Sequence, residues 1–196
     1  MNHDCFHHVG LEQYKQAQLK IDNLLKSPIG SDLLGVVNWG GSPLKELSES
    51  ISAFDAVWRV SRQLGLAQND PSVSVLVVGD GTTPRTGALI ARSSAWQVTS
   101  IDPLLKRNGP YPVKRLSCVK GRLEDYPELS ADIVVAVHSH ATVDATRAAC
   151  RCPGAVVSMP CCVPWPIQDG QQTWIDDAVI SPMRRIVVEV MSESSR

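Results

Sequence analysis

From Val73 to Pro103 the chain reads VSVLVVGDGTTPRTGALIARSSAWQVTSIDP. The run Val73 to Val78 is apolar without alternation, as expected of a parallel strand buried on both faces. Gly79-Asp80-Gly81-Thr82-Thr83 follows as a turn. Pro84 suits the first turn of a helix, where a missing N–H costs nothing, and Thr82 or Thr83 is placed to cap it. Gly87 and the small residues after it let that helix lie close to a sheet. A second strand spans Gln97 to Ile101 and ends on Asp102, 22 residues beyond Asp80. That separation is close to the roughly 20 residues between the turn and the ribose-binding acid of a nucleotide-binding βαβ unit.

Each part has a chemical use. Small residues bring backbone N–H groups near a ligand, and an acid at a strand tip accepts two ribose hydroxyls. Asp80 puts an anion at the helix N-terminus, which disfavours a pyrophosphate and suits a cationic or zwitterionic nucleoside. The stretch resembles motifs I and II of the class I S-adenosylmethionine-dependent methyltransferases. Gly79-Asp80-Gly81 stands as the acid-glycine turn and Asp102 as the ribose acid. Thr83 stands where a further close glycine is usual, and Gly87 comes late.

Working outward, Leu116 to Lys120 reads as a third strand. Only Pro103 to Arg115 connects it to the second, interrupted by Asn108-Gly109-Pro110, so this link is expected to be irregular. Gly121-Arg122-Leu123-Glu124-Asp125 resembles the family's motif III turn. The resemblance implies Leu123 against adenine and Glu124 or Asp125 on its amino group. Read as ordinary chemistry, the same acids are favoured at a helix N-terminus. Asp132 to Val137 is a fourth strand ending in His138-Ser139-His140. A helix at 142–150 and a turn at Cys152-Pro153-Gly154 lead to a fifth strand, Ala155 to Met159. Pro160-Cys161-Cys162-Val163-Pro164-Trp165 comes next. Thr173 to Ile180 and Arg185 to Met191 are the last strands, and an antiparallel arrangement there matches the family's reversed final strand.

Before the sheet, Leu11 to Lys26 reads as a helix stopped by Ser27-Pro28. Ser42 and Pro43 open a second, running towards Gly65 with Ser50 as the place for a break. Its apolar face is Leu44, Leu47, Ile51, Phe54, Val57, Trp58 and Leu64. The expected organisation is a helical layer at 1–68 and a nucleoside-binding core at 69–196, packed as one unit. The fold class is α/β, a doubly wound, mostly parallel Rossmann-like sheet. His3, Cys5, His7 and His8 form a polar leader that reads as a loose terminus rather than a metal site. Trp39, between glycines, reads as an anchor in the helical layer.

The 196 residues carry a net charge of −1, which gives no global basic field for nucleic acid or an anionic membrane. No apolar run reaches the roughly 18 residues of a membrane span. Six cysteines, two of them adjacent, do not form a secreted disulfide pattern, and a reducing, cytoplasmic setting is expected.

The resemblance implies an S-adenosylmethionine-dependent methyltransferase. Cofactor binding falls to Gly79, Asp80, Gly81, Thr82, Asp102, Pro103, Leu123 and Glu124. Both S-adenosylmethionine and S-adenosylhomocysteine are expected ligands. The acceptor stays open among nucleic acid, nucleotide, protein and small molecule. In a doubly wound sheet functional groups gather at the carboxyl ends of strands. His138, His140, Cys161 and Cys162 should therefore line one acceptor-side site. A histidine is the leading general base, Cys161 is a candidate nucleophile, and no metal is assigned. Pro160-Cys161 resembles the catalytic segment of RNA cytosine-5 methyltransferases, without their companion Pro-Cys. Cys150 and Cys152 precede the fifth strand and stand at the sheet's opposite edge. Two rivals remain. One is a methyltransferase-like domain that binds a nucleoside or a protein without chemistry. The other is an NAD-dependent oxidoreductase, opposed by Asp80 in the turn and by the lack of a Tyr-x-x-x-Lys pair.

Overall fold

A computed structural model describes residues 10–30, 33, 42–162 and 164–192. The leader with His3, Cys5, His7 and His8, and Trp39, lie outside the described residues. In chain order the elements are α1 (Leu11–Lys26), α2 (Pro43–Gln63), β1 (Ser74–Val78), α3 (Arg85–Ser93), β2 (Gln97–Ile101), β3 (Gly109–Pro110) and β4 (Leu116–Val119). A 3-10 turn at Leu123–Asp125 precedes β5 (Ala131–Val137), α4 (Val143–Ala148), β6 (Cys150–Met159), β7 (Gln172–Ile175) and β8 (Arg185–Met191).

The strands form one sheet in the order β3-β4-β2-β1-β5-β6-β8-β7. The ladders β4/β2, β2/β1, β1/β5 and β5/β6 are parallel. β8 runs antiparallel to both β6 and β7. The chain leaves β1 towards β2 on one side and returns to β5 on the other, so the direction of winding reverses between β1 and β5. That crevice, at the carboxyl ends of the strands, is where doubly wound folds bind ligands.

The central strands are apolar without alternation because both faces are covered. On one face α2 and α3 pack Leu47, Ile51, Val57, Leu89 and Ile90 against Val75, Val77, Ile133 and Val135. Ile21 of α1 joins the same cluster. The opposite face buries Leu76, Val78, Ile101, Val134 and Val156, with Leu123 from the 3-10 turn. Helix α4, which is six residues long, lies on that side.

Four expectations change here, and the first is that β7 stops at Ile175 rather than Ile180. Helix α2 runs unbroken through Ser50, because its serines find partners beyond the helix. Ser52 Oγ donates to Asp176 at 2.7 Å, Ser50 Oγ accepts from Thr86 Oγ1 at 3.1 Å, and Ser48 Oγ accepts from Ile180 N at 3.0 Å. Leu44, assigned to the apolar face, is exposed. The fifth strand begins at Cys150 rather than Ala155, since the segment expected to turn pairs with β5 across an irregularity near Ala131. The expected irregular link after β2 is there, stiffened by β3 lying antiparallel to β4. Among the described residues no helix is long and apolar enough to cross a membrane.

Candidate functional site

The turn after β1 is built by two glycines in the left-handed region, Gly79 at φ 84° and Gly81 at φ 76°. Side chains rarely adopt that backbone, which is why glycine stands at both positions. Between them Asp80 turns inward and is 4% exposed. Its Oδ1 accepts from Thr86 N at 2.9 Å; its Oδ2 accepts from Gly87 N and Ser100 Oγ, each at 2.9 Å. Asp80 therefore caps α3, and the N-cap position at Pro84 carries no side-chain hydrogen bond. The N-cap position falls to Pro84 rather than to Thr82 or Thr83. Burial pushes the Asp80 carboxyl above its ordinary range, against the opposing pull of the Gly87 and Thr86 N–H groups, Ser100 and Arg85. The late glycine has a steric cause: a Cβ on Gly87 would run into Ser100 Oγ.

Asp102 at the end of β2 reaches back to the same turn. Its Oδ2 accepts from Gly81 N at 2.9 Å, and its Oδ1 accepts from Leu104 N at 2.7 Å. An ionised carboxylate has about four acceptor sites, so two backbone donors leave capacity for hydroxyls. Pro103 is exposed beside it. Thr82, also exposed, accepts at its carbonyl from Lys106 N at 3.2 Å, folding the loop after β2 over the turn. Thr82, Leu105, Lys106 and Tyr111 line a cavity of about 420 Å³. In the 3-10 turn, Leu123 is core rather than surface. Glu124 Oε1 accepts from Thr142 N at 2.8 Å, at the start of α4.

Across the crevice, β5 is followed by His138, a non-glycine residue at φ 50°. Ser139 presses on the glycine turn: a Cβ on Gly79 would stand 2.9 Å from both its Cα and its Cβ. His138 Nε2 lies 2.8 Å from Glu49 Oε1 of α2, and its Nδ1 is buried without a hydrogen-bond partner. Lys45 Nζ is 2.9 Å from the same Glu49 oxygen, and Arg85 Nη1 is 3.0 Å from Glu46 Oε2. Burial opposes ionisation of Glu49, but His138 and Lys45 together outweigh it and hold its carboxyl below the ordinary range. Burial raises Glu46, with Arg85 and Lys45 opposing. Two acids, two bases and His138 thus line a cavity of about 160 Å³ bordered by Gly79 and Asp80.

His140 takes another direction. Its Nε2 is 3.2 Å from Cys162 Sγ, which is 3.4 Å from Cys161 Sγ. The four-residue group expected from topology therefore divides. Three side chains gather at the exit of β5 and β6, while the His138 ring joins α2. Only the His138 carbonyl stays with the cysteines, accepting from Cys161 Sγ at 3.7 Å. Lys45, Glu46, Glu49 and Arg85 were not singled out from sequence. Glu49 is buried between Ser48, Ser50 and Ile51, where an acid without a partner is costly, and no local motif marks it in the sequence.

The strand order, with its parallel core and reversed β8, is that of a doubly wound, mostly parallel Rossmann-like α/β sheet. No protein-family model matches the chain, and no curated protein does. Solved structures with a similar fold include MtNAS in complex with MTA and tNA, at 10% identity and TM-score 0.46, covering 91% of this chain and 71% of that one. MycE methyltransferase from the mycinamycin biosynthetic pathway, with Mg and SAH, is 16% identical at TM-score 0.48, covering 74% and 48%. The antibiotic-resistance methyltransferase Kmr is 14% identical at TM-score 0.47, covering 68% and 93%. At such identities the likeness concerns fold alone.

Proposed function

We propose that this chain binds S-adenosylmethionine across the carboxyl ends of β1 and β2 and transfers its methyl group. The observation that carries this reading is the joining of the two-glycine turn to Asp102, beside the β1/β5 crevice where the winding reverses. The residues present fit the cofactor's two ends. Asp102, with acceptor capacity left over, suits the ribose. Lys45 and Arg85 suit the methionyl carboxylate, and Glu46 and Glu49 its ammonium group, each exchanging an internal ion pair for one with the ligand. Bound S-adenosylmethionine supplies an electrophilic methyl on a sulfonium. The chain's own residues hold the acceptor in line and accept the proton it loses. His138, held by Glu49 in the cavity bordered by Gly79 and Asp80, serves as the general base. The acceptor class is left open.

A second reading, a methyltransferase-like binding domain without chemistry, has its own support. Asp80, Asp102 and Glu124 all spend carboxylate oxygens on backbone N–H groups, and Ser139 closes on Gly79. Calorimetric titration with S-adenosylmethionine, S-adenosylhomocysteine and NAD separates the readings. The proposal expects heat from the first two and none from NAD. Binding of S-adenosylhomocysteine but not S-adenosylmethionine favours the non-catalytic domain, and binding of NAD alone overturns both.

A further inference from the structure

We infer that His140, Cys161 and Cys162 form a binding site for one soft divalent cation of the zinc class, with a coordination position left open. The inference goes beyond the methyltransferase reading and does not depend on it. Its basis is a convergence of three ligand atoms from two loops. β5 and β6 run parallel with Val137 opposite Met159, and His138 N donates to Met159 O at 2.9 Å. His140 lies three residues past the end of β5, and Cys161 and Cys162 lie two and three past the end of β6. Both loops leave the sheet side by side. They bring His140 Nε2, Cys161 Sγ and Cys162 Sγ within 4.8 Å of one another.

The dimensions suit a shared ion. Zinc stands about 2.3 Å from thiolate sulfur and about 2.0–2.1 Å from imidazole nitrogen. Tetrahedral angles then separate neighbouring ligand atoms by roughly 3.5–3.8 Å. The observed 3.2 Å between Nε2 and Cys162 Sγ, and 3.4 Å between the two sulfurs, need only a small spreading. Two thiolates and an imidazole are the ligand softness that zinc prefers, and their charge neutralises a divalent ion. Three protein ligands leave a fourth position for water or a substrate atom. The site is accessible: His140 and Cys162 are exposed and Cys161 half-buried. The loop is also held. Ser139 Oγ accepts from Ala141 N at 3.1 Å, bracing the backbone on both sides of His140.

A disulfide between the two cysteines is the competing chemistry. Consecutive Cα atoms lie about 3.8 Å apart across a trans peptide. Disulfides usually span about 4.4–6.8 Å between Cα atoms, so that ring would be strained and easily reduced. The other cysteines are poor competitors for the ion. Burial and the Asp80 charge push the Cys118 thiol up to about 11. Cys150 opens β6, at the opposite end of that strand from Cys161.

The test uses the reduced full-length chain with zinc against a competing chromophoric chelator, and cobalt as a spectroscopic probe. One metal per chain is expected, with cobalt showing thiolate charge-transfer bands and the d–d pattern of a four-coordinate ion. Cys161→Ser, Cys162→Ser and His140→Ala should each weaken binding at least about tenfold, since even a residue that only supports a ligand is worth that much. Circular dichroism and a thermal melt of each variant, taken without metal, should match the parent. A chain with His3→Ala, Cys5→Ser, His7→Ala and His8→Ala together should bind as the parent does. Absence of stoichiometric binding overturns the site. So does binding that survives loss of both Cys161 and Cys162, or that disappears with the four N-terminal substitutions.

Discussion

The two ends of the sheet's carboxyl edge are built in opposite ways. At β1 and β2 the groups that hold the turn are buried backbone N–H donors and the carboxylates of Asp80 and Asp102, 4% and 8% exposed. At β5 and β6 the corresponding edge carries His140 and Cys162, both exposed, and Cys161, half-buried, their ligand atoms facing one another. The first region is rigid because each acid answers several orphan donors of a helix or turn. The second offers side chains whose strongest partners are one another. A nucleoside needs the first kind of surface, preorganised and shape-defined. An ion or a reactive acceptor needs the second, where ligand atoms converge with room left over.

The largest expected effect breaks the rigid side. Asp80→Ala leaves Thr86 N, Gly87 N and the Ser100 hydroxyl without their acceptor. At about 1–3 kcal/mol for each buried unsatisfied group, a loss of at least about 3 kcal/mol is expected in chemical denaturation. Asp80→Asn adds a pH signature. Because burial raises the Asp80 pKa above its unfolded value, its contribution to stability is fully present below the unfolded value. It is lost as pH rises through the elevated folded one. The stability gap between parent and Asp80→Asn should therefore narrow as pH rises across that window.

Next comes the contact that closes the crevice. Gly79→Ala puts a Cβ 2.9 Å from Ser139 Cα on a backbone at φ 84°. Gly81→Ala carries the same backbone strain but meets only the flexible end of Arg85, at 3.2 Å. Both should destabilise by at least about 1 kcal/mol, the strain of a left-handed non-glycine residue, and Gly79→Ala should cost clearly more. Equal thermal shifts would mean that the loop after β5 gives way freely. The same strain makes a bulky substitution at Gly81 a poor probe of ligand contact.

Asp102→Ala sharpens the comparison through ligand. Loss of a charged acceptor for ribose hydroxyls should weaken S-adenosylhomocysteine binding by about 1.5–3 kcal/mol, read by calorimetry. A melt beside it corrects for the freed Gly81 and Leu104 N–H groups. Unchanged affinity would remove Asp102 from the ligand site.

The smallest effect lies away from both regions and calibrates them. Burial opposes ionisation of Asp176, but Ser52, the Ala178 N–H and Lys20 outweigh it and hold its carboxyl below the ordinary range. A depressed acid contributes stability above its unfolded pKa and loses it as pH falls through the folded one. Asp176→Asn should cost about 1 kcal/mol at neutral pH, and the difference from parent should fade in acid below the ordinary aspartate value.

Much of the sheet was legible because its evidence in the chain is local. Val73 to Val78 and Asp132 to Val137 are apolar runs bounded by turn residues, and burial on both faces needs no alternation. Pro84, Gly87 and the 22-residue step to Asp102 locate the βαβ unit in the sequence itself. The positions of His140, Cys161 and Cys162 at strand ends were likewise legible, since topology alone brings them to one edge. What each acid does was not. Asp80 reads as a cofactor-binding turn residue, and the structure adds that it caps α3; Leu123 reads as a platform for adenine, and the structure adds that it packs in the core. Glu49 gave no motif at all, because its partner His138 stands 89 positions away.

By itself, then, the order of apolar runs, glycines and prolines determined the α/β winding and which residues stand at the carboxyl edge of the sheet. These follow from backbone geometry and burial, which repeat with a fixed period along the chain. Only the tertiary structure decided which oxygen meets which N–H, and that His138 and His140, two residues apart, serve different neighbours. Side-chain direction past the end of a strand is set by what packs against it, here α2 on one side and the loop after β6 on the other. No local pattern encodes that choice, because the partners come from elements separated by much of the chain.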